Sequence, residues 1–283
     1  MKTLAGLGTT RCGDREFKWG ERTYIMGVIN MSPDSFSGDG LSNMDEALLQ
    51  AEGFVSDGVD IIDIGGESTR PGSAPITPEE EIRRVVPIIE RLSQQVPVPL
   101  SIDTYKWEVA QEAVAAGARM LNDIWGLKRE PRLADIAAKE GIPVVLMSNQ
   151  RDGECQDIIS EAFKDLKRAM DIAIERGVPQ ENIILDPGIG FGKTLDQNLE
   201  IVSRLDEFSA LGRPLLIGTS RKSMIGLVLD LPTEERIEGT AATVAISISN
   251  GADMVRVHDI PEMKRVCQMS DAIVRGRRPQ REG

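Results

Sequence analysis

Short apolar runs that each end at a polar residue recur along the chain and predict its architecture. In residues 182–193, three aliphatic side chains of strand length stop at the carboxylate of Asp186. Pro187 then prevents further ladder hydrogen bonding, and alternating glycines lead towards the next helical pattern. Comparable runs occupy residues 24–29, 61–65, 99–102, 120–121, 143–147, 214–218 and 254–258. Parallel strands with polar carboxyl ends, each followed by a loop and a helix, are typical of a closed barrel.

Helical periodicity between these runs completes the repeating unit. Apolar positions spaced by three and four residues predict helices near residues 44–56, 106–116, 158–176, 196–208, 239–249 and 261–274. Another helix begins after Thr77, where a capping box with proline at the first helical position marks the start. We therefore predict an α/β fold, namely a single (β/α)₈ TIM barrel over residues 23–275.

Four segments lie outside the regular strand–helix pattern. Residues 1–22 are predicted to form an irregular N-terminal arm, with Phe17 and Trp19 capping the barrel floor, and residues 276–283 a solvated C-terminal tail. The loops after strands 1 and 2, residues 31–43 and 66–76, are long. Usual loops between a strand and the next helix have about 2–6 residues. Length at these positions indicates function.

Length, composition and charge restrict the possible function. The chain has 283 residues, and about 250 are usual for one such barrel. A net charge of −12 argues against nucleic acid or an anionic membrane surface as a partner. We see neither a signal peptide nor an apolar run near the roughly 20 residues of a membrane span, so we expect a cytoplasmic protein. Three scattered cysteines are expected as free thiols, and a single histidine argues against zinc.

Polar or charged side chains stand at or just beyond the carboxyl ends of most predicted strands. They are Asn30, Asp103, Asn122, Asp186, Lys222 and the pair Arg256 and His258. An Asn or Asp at such a place often caps the next helix, and a lone histidine is usually structural. Lys222 and Arg256, however, are not capping residues, and all strand ends of a barrel meet at one mouth. Arg256 and His258 share one strand face, which favours an anion site enlarged by residues 220–222.

Six segments, in order along the chain, resemble one family of enzymes. They are MGVINMSPDSFSGDG at residues 26–40, DIGGESTRPG at 63–72, SIDT at 101–104, LDPGIGFGK at 185–193, GTSRKS at 218–223 and RVHD at 256–259. These segments closely resemble dihydropteroate synthases, and the match runs from about residue 23 to residue 275. The resemblance implies a (β/α)₈ barrel that is usually a homodimer.

The resemblance also implies a reaction in folate biosynthesis. A transferase of this kind joins 6-hydroxymethyl-7,8-dihydropterin diphosphate to p-aminobenzoate, giving 7,8-dihydropteroate and diphosphate, with Mg²⁺ as cofactor. Both expected substrates are small molecules, and sulfonamides target the family.

Roles for particular residues follow from the same resemblance. The expected pterin contacts are Thr69, Asp103, Asn122, Asp186 and Lys222, and the expected diphosphate contacts are Asn30, Arg256 and His258. The expected p-aminobenzoate contacts are Phe36, Thr69, Arg70, Pro71, Phe191 and Ser223. Asn30 is the expected metal ligand, and the expected catalytic residues are Asp103, Lys222, Arg256 and His258.

One segment departs from the family pattern. Where the family commonly reads Leu-Met-His-Met after the fifth strand, this chain has Ser148 and Asn149 in place of His-Met, and the following segment looks shortened. The departure concerns the local pocket wall and sensitivity to inhibitors. It removes none of the expected contacts.

Two other interpretations stay open at the level of sequence. A methyltransferase-type pterin domain shares this barrel and handles methyltetrahydrofolate, but it has no diphosphate to hold. Lys222 and the pair Arg256 and His258 argue against it. The other is a pterin-binding paralogue without catalytic activity. Every matched site residue is present, which argues against it.

Overall fold

A barrel of eight parallel strands forms the centre of the computed structural model, which describes residues 6–32, 44–68, 73–153 and 156–277. A hairpin of β1 (Thr9–Cys12) and β2 (Arg15–Lys18) precedes it. The barrel strands are β3 (Tyr24–Asn30), β4 (Ile61–Gly65), β5 (Leu100–Asp103), β6 (Met120–Asp123), β7 (Val144–Met147), β8 (Ile183–Asp186), β9 (Leu216–Ile217) and β10 (Met254–Val257).

Helices cover the outside of the barrel. Within the described ranges they are α1 (Met44–Asp57), α2 (Pro78–Gln95), α3 (Trp107–Ala116), α4 (Arg132–Glu140), α5 (Ile158–Glu175), α6 (Leu195–Ser203), α7 (Ser223–Leu229), α8 (Ile237–Ser249) and α9 (Ile260–Val274). The sequence pattern did not predict α4, which has nine residues and ends at the left-handed Gly141. None of the helices in these ranges is long and apolar enough to cross a bilayer.

Parallel pairing continues around the whole barrel. The strand order is β8-β7-β6-β5-β4-β3-β10-β9, and every neighbouring pair is parallel. A parallel bridge between Leu185 and Leu215 joins the two ends of this order, and the Leu185 N–H donates to the Pro214 carbonyl at 2.9 Å. The predicted (β/α)₈ barrel is therefore confirmed. All strand carboxyl ends lie at one mouth.

An apolar floor fills the amino-terminal half of the barrel interior. It contains Met26, Ile61, Met120, Val145, Ile184, Leu216 and Met254. Side chains two residues further along each strand face the same interior, because side chains alternate across a strand. Several of these are polar, namely Asp63, Asn122, Asp186 and Arg256. The floor excludes water from below, so the polar layer above it forms the base of a site that opens towards the carboxyl ends.

Residues 9–18 form a hairpin, so the prediction of an irregular arm was wrong there. The turn consists of Gly13 and Asp14, and Gly13 has the positive φ of 60° that such turns require. Phe17 and Trp19 are buried in the floor cluster and contact the ring of Tyr24, with centroids 4.9 and 5.4 Å away. The predicted capping of the floor by these two side chains is confirmed. A Gly-Asp pair between alternating residues was the missed signal.

Candidate active site

Most of the predicted site residues meet at the carboxyl end of the barrel. One open cavity is lined by Asn30, Asp103, Phe191, Lys222, Ser223, Arg256 and His258. Asn122 and Asp186 lie at the ends of β6 and β8 and are only 4% and 8% exposed. The expected convergence on one mouth is therefore observed. Contacts of these residues with a substrate stay predictions.

Arg256 is the centre of a charged network inside the barrel. Its Nε donates to Asp63 Oδ2 at 2.7 Å, and its Nη2 donates to Asp103 Oδ2 at 2.8 Å. Asn122 Nδ2 donates to the same Asp63 oxygen at 2.9 Å. Four strands thus present one connected group of polar side chains, with the guanidinium held in a fixed orientation.

The charge on Asp103 is finely balanced. Burial and the neighbouring Asp63 carboxylate raise its pKa, Arg256 opposes them, and the result is a pKa of about 7. Asp103 therefore exchanges a proton near neutral pH. A ligand that donates hydrogen bonds to this carboxylate would favour its ionised form.

Asp63 is a site residue that the sequence reasoning missed. It is fully buried and accepts from both Arg256 and Asn122. Its other oxygen, Oδ1, and the adjacent Ser101 Oγ are buried without a hydrogen-bond partner among the described residues. A carboxylate inside the run Ile61-Ile62-Asp63-Ile64 was the available signal, because a buried charge needs a partner.

Asp186 and Lys222 form a second charged pair. Burial raises the pKa of Asp186, while Lys222 lowers it, and Asp186 Oδ1 accepts from the Gly188 N–H at 2.7 Å. Burial lowers the pKa of Lys222 to about 8, partly offset by Asp186. The Lys222 ammonium donates to the Ile189 carbonyl and lies 4.8 Å from the centre of the Phe191 ring. Burial thus works against the charged form of both groups, and each charge partly restores the other.

The loop after β8 is shaped by glycine. Gly188 has φ +75°, and a Cβ there would lie 2.0 Å from the Ser148 carbonyl oxygen. Lys193 braces the same turn by donating to the carbonyls of Ser148 and Gly188, both at 2.9 Å. This packing fixes Phe191 at the wall of the cavity.

His258 contributes to the cavity rim, whereas Arg221 does not. His258 Nδ1 lies 2.8 Å from Ser220 Oγ, which also accepts from the His258 backbone N–H at 3.2 Å. Arg221 Nε donates to Asp259 Oδ2 at 3.0 Å, and neither residue is among those that line the cavity. Of residues 220–222, Ser220 and Lys222 line the cavity and Arg221 does not, and the anion site itself stays a prediction.

Ser148 and Asn149, the departure from the family pattern, support the cavity wall from behind. Both are fully buried. Asn149 Nδ2 donates to the Ile124 carbonyl at 2.9 Å, and its Oδ1 accepts from the Arg151 N–H at 3.1 Å. Asn149 thus connects the loop after β6 to the loop after β7. A short amide makes both bonds, so the wall remains braced.

Glu67 lines the cavity and fixes the described ends of the loop after β4. Its Oε2 accepts from the Ile76 N–H at 3.0 Å and from Lys106 Nζ at 2.6 Å, and Tyr105 Oη donates to Oε1 at 3.1 Å. Lys106 also donates to the buried Glu81. The loop ends are therefore held by a charged group that the sequence reasoning did not identify.

Four of the predicted p-aminobenzoate contacts lie outside the described residues. They are Phe36, Thr69, Arg70 and Pro71, and Thr69 is also a predicted pterin contact. Of the remaining p-aminobenzoate contacts, Phe191 is partly buried and Ser223 is exposed at the cavity edge.

Comparisons with known proteins agree with this geometry. The model of the pterin binding enzyme family matches residues 26–258. The dihydropteroate synthase of Clostridium beijerinckii is 52% identical, with 94% of this chain and 99% of that protein covered. A crystal structure of the Clostridium difficile dihydropteroate synthase, in the presence of pteroic acid, is 47% identical with a TM-score of 0.87, covering 92% of this chain and 99% of that one.

A third relative links the fold to the second expected substrate. The Xanthomonas albilineans dihydropteroate synthase, solved with 4-aminobenzoic acid, is 36% identical with a TM-score of 0.87, covering 94% of this chain and 97% of that one. Fold, site and sequence thus agree over nearly the whole chain. The chain belongs to the dihydropteroate synthase family of pterin-binding enzymes.

Proposed function

We propose that this chain joins 6-hydroxymethyl-7,8-dihydropterin diphosphate to p-aminobenzoate at the barrel mouth. The observation that carries the proposal is the arrangement of charge in one cavity. Buried carboxylates, Asp103 and Asp186, lie beside the cations Lys222 and Arg256, with His258 at the rim. Acceptors complement a heterocycle rich in N–H donors, and cations complement a diphosphate.

The pterin is bound by acceptor groups at the base of the cavity. An ionised carboxylate only accepts hydrogen bonds, so Asp186 can take two pterin N–H donors. Asp186 is 8% exposed, and burial already raises its pKa, so the donors of the ligand stabilise its charged form. Asp103 and Asn122 extend the same surface, and Arg256 keeps Asp103 in place.

The chemical step needs a stabilised leaving group rather than a strong base. The neutral arylamine nitrogen attacks the pterin methylene carbon, the carbon–oxygen bond breaks, and its electron pair leaves with diphosphate. The amine then releases one proton. Lys222, Arg256 and His258 place positive charge where negative charge develops, which is electrostatic stabilisation of the transition state. Asp103 and Asp186 favour positive charge at the methylene carbon.

Mg²⁺ fits this site as a metal held largely by the substrate. Among the residues that the structure describes, no group of three or more His, Cys, Asp or Glu side chains could hold a metal ion. Mg²⁺ commonly binds one or two protein oxygens together with substrate phosphates. Asn30 offers an amide oxygen in the cavity with Arg256 and His258, and we propose it as the protein ligand. Bound Mg²⁺ would neutralise charge on the leaving diphosphate.

The second substrate is proposed to bind against Phe191 and Ser223 at the cavity edge. Phe191 provides an aromatic face, and Ser223 provides a hydroxyl beside Lys222. The residues Phe36, Thr69, Arg70 and Pro71 are proposed to complete this part of the site. The Xanthomonas albilineans relative solved with 4-aminobenzoic acid supports the choice of substrate.

Apolar surface on three helices supports the proposal of a homodimer. Exposed side chains there are Leu227, Val228 and Leu229 on α7, Ile246 on α8, and Met269 and Ile273 on α9. Helices α8 and α9 pack against each other, which brings two of the three helices side by side. A second copy packed there would remove this apolar surface from water.

We also propose a cytoplasmic location, supported by the free buried thiols of Cys12 and Cys267.

A turnover assay tests the proposed reaction. The purified protein is incubated with the pterin diphosphate, p-aminobenzoate and Mg²⁺, and dihydropteroate and diphosphate are measured by chromatography. We expect both products in a one-to-one ratio, and a large loss of rate when Mg²⁺ is chelated. Turnover of methyltetrahydrofolate instead would favour a methyltransferase domain. Pterin binding without either product would indicate a paralogue without catalytic activity.

A further inference from the structure

Arg151 lies in the wall of the cavity, although no role above includes it. Its guanidinium carbon is 4.6 Å from the centre of the Phe191 ring, and Lys222 Nζ is 4.8 Å from the same centre. Both side chains line the cavity together with Ser223. Two cations thus lie against the ring on which the aromatic substrate is proposed to rest.

The backbone around Arg151 is fixed relative to Phe191. The Arg151 N–H donates to Oδ1 of the buried Asn149 at 3.1 Å, and the Gln150 N–H donates to the Phe191 carbonyl at 3.1 Å. The two loops also touch closely, since a Cβ on Gly192 would lie 2.3 Å from the Gln150 carbonyl carbon. Arg151 and Phe191 are therefore presented as one unit.

Arg151 lies close enough to Arg129 and Lys222 for these charges to act on one another. Burial and the nearby Arg129 lower the pKa of Arg151, and the charge of Arg151 in turn contributes to lowering the pKa of Lys222. A negative group placed beside Arg151 would relieve the repulsion between these cations.

The shape of the expected substrate places its own negative group on this wall. p-Aminobenzoate carries its amine and its carboxylate at opposite ends of a ring. Its amine must face the pterin methylene near Lys222 and Arg256, so its carboxylate points towards the outer wall. The flat face of a guanidinium stacks on an aromatic ring. The N–H donors of the guanidinium point outward in its own plane, where they can pair with the two oxygens of a carboxylate.

We propose that Arg151 binds the carboxylate of p-aminobenzoate and makes the site selective for anionic arylamines over neutral ones. The proposal rests on the proposed reaction. It adds a binding residue that stands on the loop after β7, the segment in which the chain departs from the family pattern.

The test compares p-aminobenzoate, which carries a carboxylate, with p-aminobenzamide, its neutral analogue. Arg151→Ala removes the guanidinium, and Arg151→Lys keeps a charge without the planar donors. Arg132→Ala is the matched control, because Arg132 lies over the Trp107 ring at 4.9 Å and does not line the cavity. For each protein we would measure kcat and KM for p-aminobenzoate, the KM for the pterin diphosphate, and the inhibition constant of p-aminobenzamide.

For Arg151→Ala we expect the KM for p-aminobenzoate to rise roughly 10- to 100-fold. This is the change expected when one charge-assisted hydrogen-bonded contact is lost. We expect kcat, the KM for the pterin diphosphate and the p-aminobenzamide constant to change less than about threefold. Arg151→Lys should recover part of the loss, and Arg132→Ala should resemble the wild type.

Three results would overturn the proposal. Equal losses for the acid and the amide would mean that Arg151 only shapes the wall. A rise confined to the pterin diphosphate would assign Arg151 to the diphosphate, and unchanged constants would give it no role. Calorimetric affinities of p-aminobenzoate and p-aminobenzamide test Arg151 even where the wild type forms no dihydropteroate, so failure of the reaction and failure of this proposal are distinguishable.

Discussion

Replacing Asp186 with Asn is the substitution whose effect follows most directly from the structure. Oδ1 of Asp186 accepts from the Gly188 N–H at 2.7 Å. An amide oxygen can keep that bond, and the amide NH₂ group then occupies the place of Oδ2. This group is a donor and would face the N–H donors of the pterin.

The expected cost has two parts. One charge-assisted hydrogen bond is lost, about 1.5–3 kcal/mol, and a buried donor is left unpaired, about 1–3 kcal/mol more. Asp186 is only 8% exposed, so solvent does little to reduce either part. Since about 1.4 kcal/mol corresponds to tenfold in affinity, pterin binding should weaken by roughly 60-fold or more.

Calorimetric titration with the pterin substrate measures this loss. Asp196→Asn is a matched control, because it replaces the same carboxylate by the same amide outside the cavity. Asp196 is exposed in the first turn of α6. Equal melting temperatures of the two variants would show that the fold is intact. If Asp186→Asn bound the pterin within threefold of the wild type, Asp186 would not be the group that reads it.

Further predictions concern pH, coupling between ligands and the loop after β8. The value of kcat/KM for the pterin diphosphate should fall below pH about 7, where Asp103 gains a proton, and above pH about 8, where Lys222 loses one. In Asp103→Asn the fall at low pH should disappear. If it persisted, the titrating group would belong to the substrate. p-Aminobenzoate should bind more tightly once diphosphate and Mg²⁺ are present, by about 1–3 kcal/mol in calorimetric titrations, and affinities that agree within twofold would contradict this coupling. Gly188→Ala should lower the free energy of unfolding by about 1–3 kcal/mol or more, because its positive φ and the Ser148 carbonyl exclude a Cβ, whereas Gly153→Ala, which has open space, should unfold like the wild type in urea.

The strand ends could be predicted because two simple rules apply to them. Apolar runs of strand length locate the strands, and parallel strands of a barrel bring their carboxyl ends together. Asn30, Asp103 and Asp186 occupy the last position of their strands in the structure, and Asn122 occupies the last but one. Their convergence needed no knowledge of loops.

Side-chain pairing could not be predicted in the same way. Asp63 stands two residues before the end of β4, and it becomes a site residue only because Arg256 and Asn122 reach it across the barrel. Arg221 looked like part of an anion site, but it pairs with Asp259, which is distant in sequence. Such pairs depend on register and rotamers, and a sequence pattern specifies neither.

The network around Arg256 gives this residue an effect beyond the diphosphate contact that the family resemblance implies. Removing Arg256 would leave Asp63 and Asp103 without their cation, so Arg256→Ala should weaken binding of the pterin ring as well as of diphosphate. His258 Nδ1 lies 2.8 Å from Ser220 Oγ at the cavity rim, and His258→Ala leaves the ion pairs of Arg256 with Asp63 and Asp103 in place. His258→Ala is therefore the cleaner probe of the diphosphate end.

The central claim is that one cavity reads the pterin with carboxylates and holds the diphosphate with cations. Its most direct test is a calorimetric comparison of two ligands, the pterin diphosphate and the same pterin without diphosphate, on His258→Ala and Asp186→Asn. We expect His258→Ala to weaken only the diphosphate-bearing ligand and Asp186→Asn to weaken both. Equal losses for both ligands in His258→Ala, or an Asp186→Asn variant that still binds the bare pterin normally, would contradict the claim.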